Sequence, residues 1–209
     1  MLRNIIFDLG GVLYDIDYGL TYQALQDLSA HQSVQYALTD QAELFSRYEA
    51  GRITTVEFRE QLRGYLGTTA SDGGLDRAYN ALLLSLFPES LSYVAHLKSR
   101  YRLALLSNIN ELHYQAIAQE CAGLFAQFER CFFSYQCGWR KPEPEIFHGV
   151  FEQMHFLPAE TLFIDDSPLN IAVAQTLGLQ TYQVKPKQPV AWIVRELLAD
   201  GTSGFTQVG

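Results

Sequence analysis

No stretch of this chain is apolar for the ~18 consecutive residues that a membrane-spanning helix needs, and its apolar start is broken at Asp8 before a secretory core can form. A cytoplasmic protein without a membrane partner is therefore expected. Blocks of like charge are also missing. With a formal charge of -8, the chain lacks the clustered Lys and Arg that displace counterions from a phosphate backbone, so nucleic acid is not an expected partner. Cysteine is scarce. Cys121, Cys131 and Cys137 are odd in number, have no CxxC spacing and stand beside no His cluster, so neither a disulfide framework nor a zinc site is expected. His31, His96, His113, His148 and His155 are scattered without ligand spacing, and no basic residues interleave the aromatic ones, so both read as packing or surface groups rather than a metal centre or a stacking platform. Internal repeats and low-complexity tracts are absent.

What is present suits one full core, or one core with an insertion: 209 residues, 48% of them hydrophobic and 18% charged. The stretch Ile5-Ile6-Phe7-Asp8-Leu9-Gly10-Gly11-Val12-Leu13 organises the rest. Its apolar run reads as a buried parallel strand with Asp8 at the carboxyl end, where open α/β sheets place their ligands. Two glycines directly after a strand point to close backbone approach. From Leu13 to about Pro88, apolar residues recur at three- and four-residue spacings and strand-like runs are missing. Helices are predicted over Thr21–Leu28, Thr39–Tyr48, Val56–Tyr65 and Leu75–Leu86, the third opened by a capping box of Thr54 and Glu57.

From Pro88 onward, helix and strand alternate. Strands are predicted over 102–106, 130–133, 161–164 and 181–184. Helices are predicted from Pro88 to Arg100 and over 114–122, 144–154, 168–177 and 190–198, with Ser167 as N-cap and Pro168 at the first helical position of the fourth. This pattern predicts a doubly wound, Rossmann-like α/β core with a parallel sheet, formed by residues 1–14 and 88–209, with a helical-bundle insertion of residues 15–87. Three strands then end in polar groups at one sheet edge: Asp8, Ser107-Asn108 and Asp165-Asp166.

Three carboxylates at one edge repel one another unless a cation sits among them, and oxygen-only ligands favour Mg²⁺ over zinc. The Ser107 hydroxyl, the Asn108 amide, the N–H groups around Gly10 and Gly11, and the Lys141 ammonium suit a phosphoryl anion. Phosphoryl transfer needs mainly positioning and charge neutralisation, and with its charge masked Asp8 is placed to attack phosphorus.

The segments Phe7-Asp8-Leu9-Gly10-Gly11-Val12-Leu13, Leu105-Leu106-Ser107-Asn108, Arg140-Lys141-Pro142 and Phe163-Ile164-Asp165-Asp166-Ser167 resemble, in order and spacing, the four motifs of the haloacid dehalogenase-like (HAD) hydrolases. The resemblance spans nearly the whole chain, and the helical insertion is similar to the small caps of that superfamily. It implies a phosphatase of sugar phosphates, most like the glucose 1-phosphate phosphatase-like members, with a small phosphorylated metabolite as its partner. Asp8 would be the nucleophile, Ser107 and Asn108 would bind phosphate, and Lys141 would neutralise both. Asp8, the Gly10 carbonyl, Asp166 and Asp165 would hold Mg²⁺.

One departure stands out. Gly10 occupies the position where most phosphatases of the superfamily carry a second Asp that protonates the leaving group. General acid–base catalysis typically contributes about 10²–10⁴-fold, so its absence predicts a preference for anomeric, aryl or acyl phosphates, whose leaving oxygens need little protonation. Asp15 and Asp17 are candidates to lend a carboxylate, while Tyr14, Tyr18 and the loop Glu49–Arg52 are candidates for substrate contact. Asn170 reads as a local helix-start residue. The competing readings are a 2-haloacid dehalogenase, which uses no metal, and a non-catalytic binder of phosphorylated metabolites.

Overall fold

The computed structural model describes residues 1–30, 34–36 and 42–185. In chain order the elements are β1 (Asn4–Phe7), β2 (Tyr14–Ile16), α1 (Tyr18–Leu28), α2 (Glu43–Glu49), α3 (Thr55–Leu66), α4 (Asp72–Tyr79), β3 (Leu83–Leu86) and α5 (Ser90–Leu97). Then come β4 (Arg102–Ser107), α6 (Glu111–Phe125), β5 (Arg130–Phe133), α7 (Ser134–Cys137), α8 (Pro144–Met154), β6 (Thr161–Asp165), α9 (Pro168–Thr176) and β7 (Gln180–Gln183).

The main sheet runs β5-β4-β1-β6-β7 with every pairing parallel. Alternation along the strands sends Ile5, Phe7, Leu103, Leu105, Leu162 and Ile164 to one face, where they pack with Val94 and Leu97 of α5 and Ile117, Cys121 and Leu124 of α6. Ile6, Ala104, Leu106 and Phe163 meet α8 and α9 through Ile146, Phe147, Val150 and Ala174 on the other. Both faces are covered, as a parallel sheet with crossover helices requires. The predicted α/β core is therefore present. After β5, on one side of β1, the chain returns to β6 on the other, so the sheet's switch point lies at the end of β1.

Helices α1 to α4 enclose a separate aromatic-rich cluster of Leu25, Phe45, Tyr48, Phe58, Leu62 and Tyr79, which reaches Leu112 at the start of α6. The Thr54–Glu57 capping box opens α3, and Gly67 at φ 64° closes it. Two expectations fail in this region. The predicted helix over Leu75–Leu86 ends at Tyr79, passes through one 3₁₀ turn and becomes β3. Nor is the insertion free of strand, because β2 and β3 pair antiparallel, with Tyr14 opposite Leu86 and Asp15 opposite Ser85. A short apolar run fits either period in isolation, and its cross-strand partner decides. This ribbon carries the chain out of the core at Tyr14 and back at Leu86.

Smaller shifts occur elsewhere. α1 begins at Tyr18, where the Asp17 carboxylate accepts the Gly19 N–H at 2.8 Å, and α6 begins at Glu111 behind an Asn110 cap. The second predicted helix is observed over Glu43–Glu49, residues 39–41 lying outside the described chain, as does the predicted closing helix over 190–198. Among the described residues, no helix is long and apolar enough to cross a membrane.

Candidate active site

Because β1, β4 and β6 run side by side in one direction, with Phe7 opposite both Leu105 and Ile164, their carboxyl ends bring Asp8, Ser107 and Asp165 together. Lys141 arrives from the loop between α7 and α8. Its side chain is fully buried, and Nζ lies 2.7 Å from Asp8 Oδ1 and 2.7 Å from Asp165 Oδ2. Asn108 fixes that loop. Its amide Nδ2 donates to the Lys141 carbonyl at 2.8 Å, and its Oδ1 accepts the Lys141 N–H at 2.8 Å. Both ends of the Asn108 side-chain amide thus hold the lysine backbone.

Asp165 is saturated. Oδ1 accepts from the Ser167 N–H at 2.8 Å and Asn170 Nδ2 at 2.9 Å, while Oδ2 accepts from Lys141 and again from Asn170 at 3.1 Å. Asn170, read from sequence as a local helix residue, belongs to this network. Ser167 sits at the N-cap position of α9, yet its side chain makes no capping bond; its N–H goes instead to Asp165. Asp166 points outward over Gly11, whose φ of 70° suits glycine and where any Cβ would collide with the Asp166 carboxylate. One carboxylate oxygen from each of Asp8, Asp165 and Asp166 lies within 4.8 Å of the others.

The backbone around the glycines divides its donors. The Gly11 N–H goes to the Tyr14 carbonyl at 2.9 Å, so it is not free for an anion as expected. Leu9 and Gly10 donate to no group among the described residues, and the Gly10 carbonyl accepts from none. A Cβ at position 10 would lie 2.8 Å from Ile16 Cδ1, so an apolar side chain from β2 fills the space where a second acid would stand.

Electrostatics follow from burial with too few cations. Asp8 is pushed up to about 8, first by burial and then by Asp165 and Asp166, against the opposing pull of Lys141. Asp166 rises to about 6 through burial and Asp165. Burial works against the charge on Lys141, but the two carboxylates overcome it and hold its pKa above the usual lysine value. One ammonium among three carboxylates leaves a net negative site, and the clustered oxygens of Asp8, Asp165 and Asp166 are hard donors of the kind that suit a divalent cation.

A cavity of about 120 Å³ opens over these groups, floored by Asp8, Gly10, Ser107, Lys141 and Asp166 and walled by Ile16, Tyr18, Tyr36, Glu49 and Arg140. Glu49, at the end of α2, is buried, and its Oε2 accepts from Arg140 Nε at 2.9 Å and Nη2 at 2.8 Å. Burial raises the Glu49 pKa while Arg140 draws it back. From sequence, Glu49 stood only within a loop and Arg140 only within the Arg140-Lys141-Pro142 segment, and their pairing was not foreseen because the partners stand 91 residues apart. Asp15 and Asp17 do not line the cavity. Tyr14 does, but its hydroxyl donates to Glu120 at 3.0 Å.

The sequence pattern of the haloacid dehalogenase-like hydrolases matches residues 2–178. The chain belongs to that family. Among curated relatives of this HAD-like hydrolase, D-ribitol-5-phosphate phosphatase of Bacteroides thetaiotaomicron is 31% identical over 201 residues, covering 92% of this chain and 95% of the relative. A HAD-family enzyme of the same organism, solved with magnesium and inorganic phosphate, superposes with a TM-score of 0.79 at 31% identity, covering 92% of this chain and 99% of that one. L-2-haloacid dehalogenase of Xanthobacter autotrophicus, with chloropropionic acid covalently bound, shares the fold at a TM-score of 0.61 and 23% identity, over 98% and 85% of the two chains.

Proposed function

We propose that this HAD-like hydrolase is a magnesium-dependent phosphatase of small sugar or polyol phosphates that works through an aspartyl phosphate on Asp8. The observation that carries the reading is the buried Lys141 ammonium, 2.7 Å from both Asp8 and Asp165, set among three carboxylates that it does not neutralise alone. Asp8, the Gly10 carbonyl and Asp166 would hold Mg²⁺. The four acceptor positions of Asp165 already in use make it a support for Lys141 and the start of α9 rather than a direct ligand. When bound, Mg²⁺ would offset the charge between nucleophile and phosphate.

In this reading an Asp8 oxygen attacks phosphorus while the bond to the leaving oxygen breaks. The transferred group is received by the Ser107 hydroxyl and the free N–H groups of Leu9 and Gly10, and Lys141, with Mg²⁺ when bound, would favour the ionised form of Asp8 against burial. Water then attacks phosphorus and regenerates Asp8. The substrate class is supported by the small cavity, by its polar Glu49–Arg140 wall and by the ribitol-phosphate relative. A haloacid substrate fits poorly, since two further carboxylates beside an uncompensated nucleophile would oppose its attack.

The test is release of phosphate from a panel of sugar, alditol, aryl and acyl phosphates with and without Mg²⁺, with Asp8→Asn as the control. Turnover that requires both Mg²⁺ and Asp8 is expected. Phosphate binding without turnover would replace the reading with that of a binding protein, and metal-free chloride release from chloropropionate would replace it with a dehalogenase.

A further inference from the structure

We propose that the Tyr18 hydroxyl stands in for the acid missing at position 10, donating its proton to the departing oxygen of the substrate. The inference rests on the phosphatase reading above. Ile16 Cδ1 occupies the place a side chain at position 10 would take, so the donor must come from elsewhere on the cavity wall.

Apart from the Tyr36 hydroxyl, which is itself buried and without a partner among the described residues, the other protic candidates are engaged. Asp17 caps α1, and Asp15 lies outside the cavity. The His113 ring bonds on one side to Asn110 at 2.9 Å and on the other to the Tyr79 carbonyl at 3.2 Å. Tyr14 donates to Glu120, and Glu49 is tied to Arg140. Tyr18 lines the cavity at the first residue of α1, its ring 5.8 Å from that of Tyr36, and its hydroxyl has no hydrogen-bond partner among the described residues. Tyr36 stands behind it, against Phe45 and Tyr79. Burial, followed by the fields of Glu49, Asp166 and Asp8, keeps the Tyr18 phenol protonated well above its usual range. Tyr18, Asp8 and Asp166 line the same cavity.

The step balances without another reactant. As Asp8 bonds to phosphorus and the bond to the leaving oxygen breaks, that oxygen takes the Tyr18 proton and leaves as an alcohol. The water that attacks the aspartyl phosphate gives its oxygen to phosphorus and one proton to the phenolate, which restores Tyr18. With this donor in place, the penalty that Gly10 imposes on alkyl phosphates shrinks.

Tyr18→Phe keeps the ring and its packing on Tyr36, so the fold is retained, which an unchanged thermal midpoint checks. kcat/KM is measured for wild type and variant over phosphates whose leaving groups run from nitrophenols through phenols to primary alcohols. The variant is expected to lose less than about 3-fold on p-nitrophenyl phosphate and roughly 10²-fold on primary alkyl phosphates, the low end of general-acid catalysis, which steepens the dependence on leaving-group basicity. An equal loss across the series, or none, overturns the inference while leaving the phosphatase reading intact. A wild type inactive on every member overturns both.

Discussion

His113 offers a pH test whose size follows from its contacts. Asn110 Oδ1 accepts the His113 N–H at 3.0 Å to cap α6, so the Asn110 amide nitrogen must face the imidazole, 2.9 Å from Nδ1, and also the Tyr79 hydroxyl at 3.1 Å. Nδ1 is therefore an unprotonated acceptor, and Nε2 carries the hydrogen donated to the Tyr79 carbonyl. Protonation would set donor against donor in a buried site, and burial accordingly lowers the His113 pKa from 6.5 to about 4. Between those values the unfolded chain holds a proton that the folded one does not. Stability from this group is complete above about pH 6.5 and is lost as pH falls toward about 4.

At about 1.4 kcal/mol per unit, the loss is about 2 kcal/mol at about pH 5 and about 3 kcal/mol at about pH 4. Urea unfolding of wild type and His113→Gln at a series of pH values isolates the term, since other carboxylates titrate alike in both. The wild type should lose this extra stability progressively between about pH 6.5 and about pH 4, and the variant should not. Parallel pH profiles for the two proteins would refute the buried neutral imidazole.

Lys141→Met removes both 2.7 Å pairs and leaves two buried carboxylates without a counter-charge, so the metal-free protein should lose about 3–5 kcal/mol in urea unfolding, together with turnover. Gly10→Asp does not simply restore an acid. Its Cβ meets the terminal methyl of Ile16, which can swing aside, so about 1 kcal/mol of destabilisation, the low end for overpacking, is expected in thermal unfolding and is relieved when Ile16→Ala is added. Mg²⁺ at about 100 times its dissociation constant should stabilise the folded protein by about 2.7 kcal/mol, a shift that Asp166→Asn reduces.

The core was legible because its strands are short apolar runs that stop at Asp8, Ser107 and Asp165, and a parallel sheet gathers such ends wherever helices separate them. Lys141 was legible only by its place between two of those segments. The β2–β3 ribbon was not, since Tyr14–Ile16 is three residues long and Leu83–Leu86 continues a helical spacing until its partner is known. Partnership also decided Asn108, Asp165 and Asn170. Their residue types allow a ligand role or a bracing one, and only the distances to Lys141 and Asp165 distinguish them. The Glu49–Arg140 pair joins two segments with nothing in common along the chain.

That pair has a counterpart three residues further along each segment. Arg52 grips Glu143 through both carboxylate oxygens at 2.9 and 2.8 Å and lies over Trp139, while Gly51 fits against the Tyr135 carbonyl where any side chain would collide. Lys141 is thus bracketed by Arg140 and Glu143, each held from the helical insertion. The insertion is therefore not a detachable module. A chimera that took a foreign helical segment between Tyr14 and Leu86 would strand Arg140 and Glu143 and loosen the lysine between them, so the unit that evolution or an engineer can exchange is the helices together with residues 138–143.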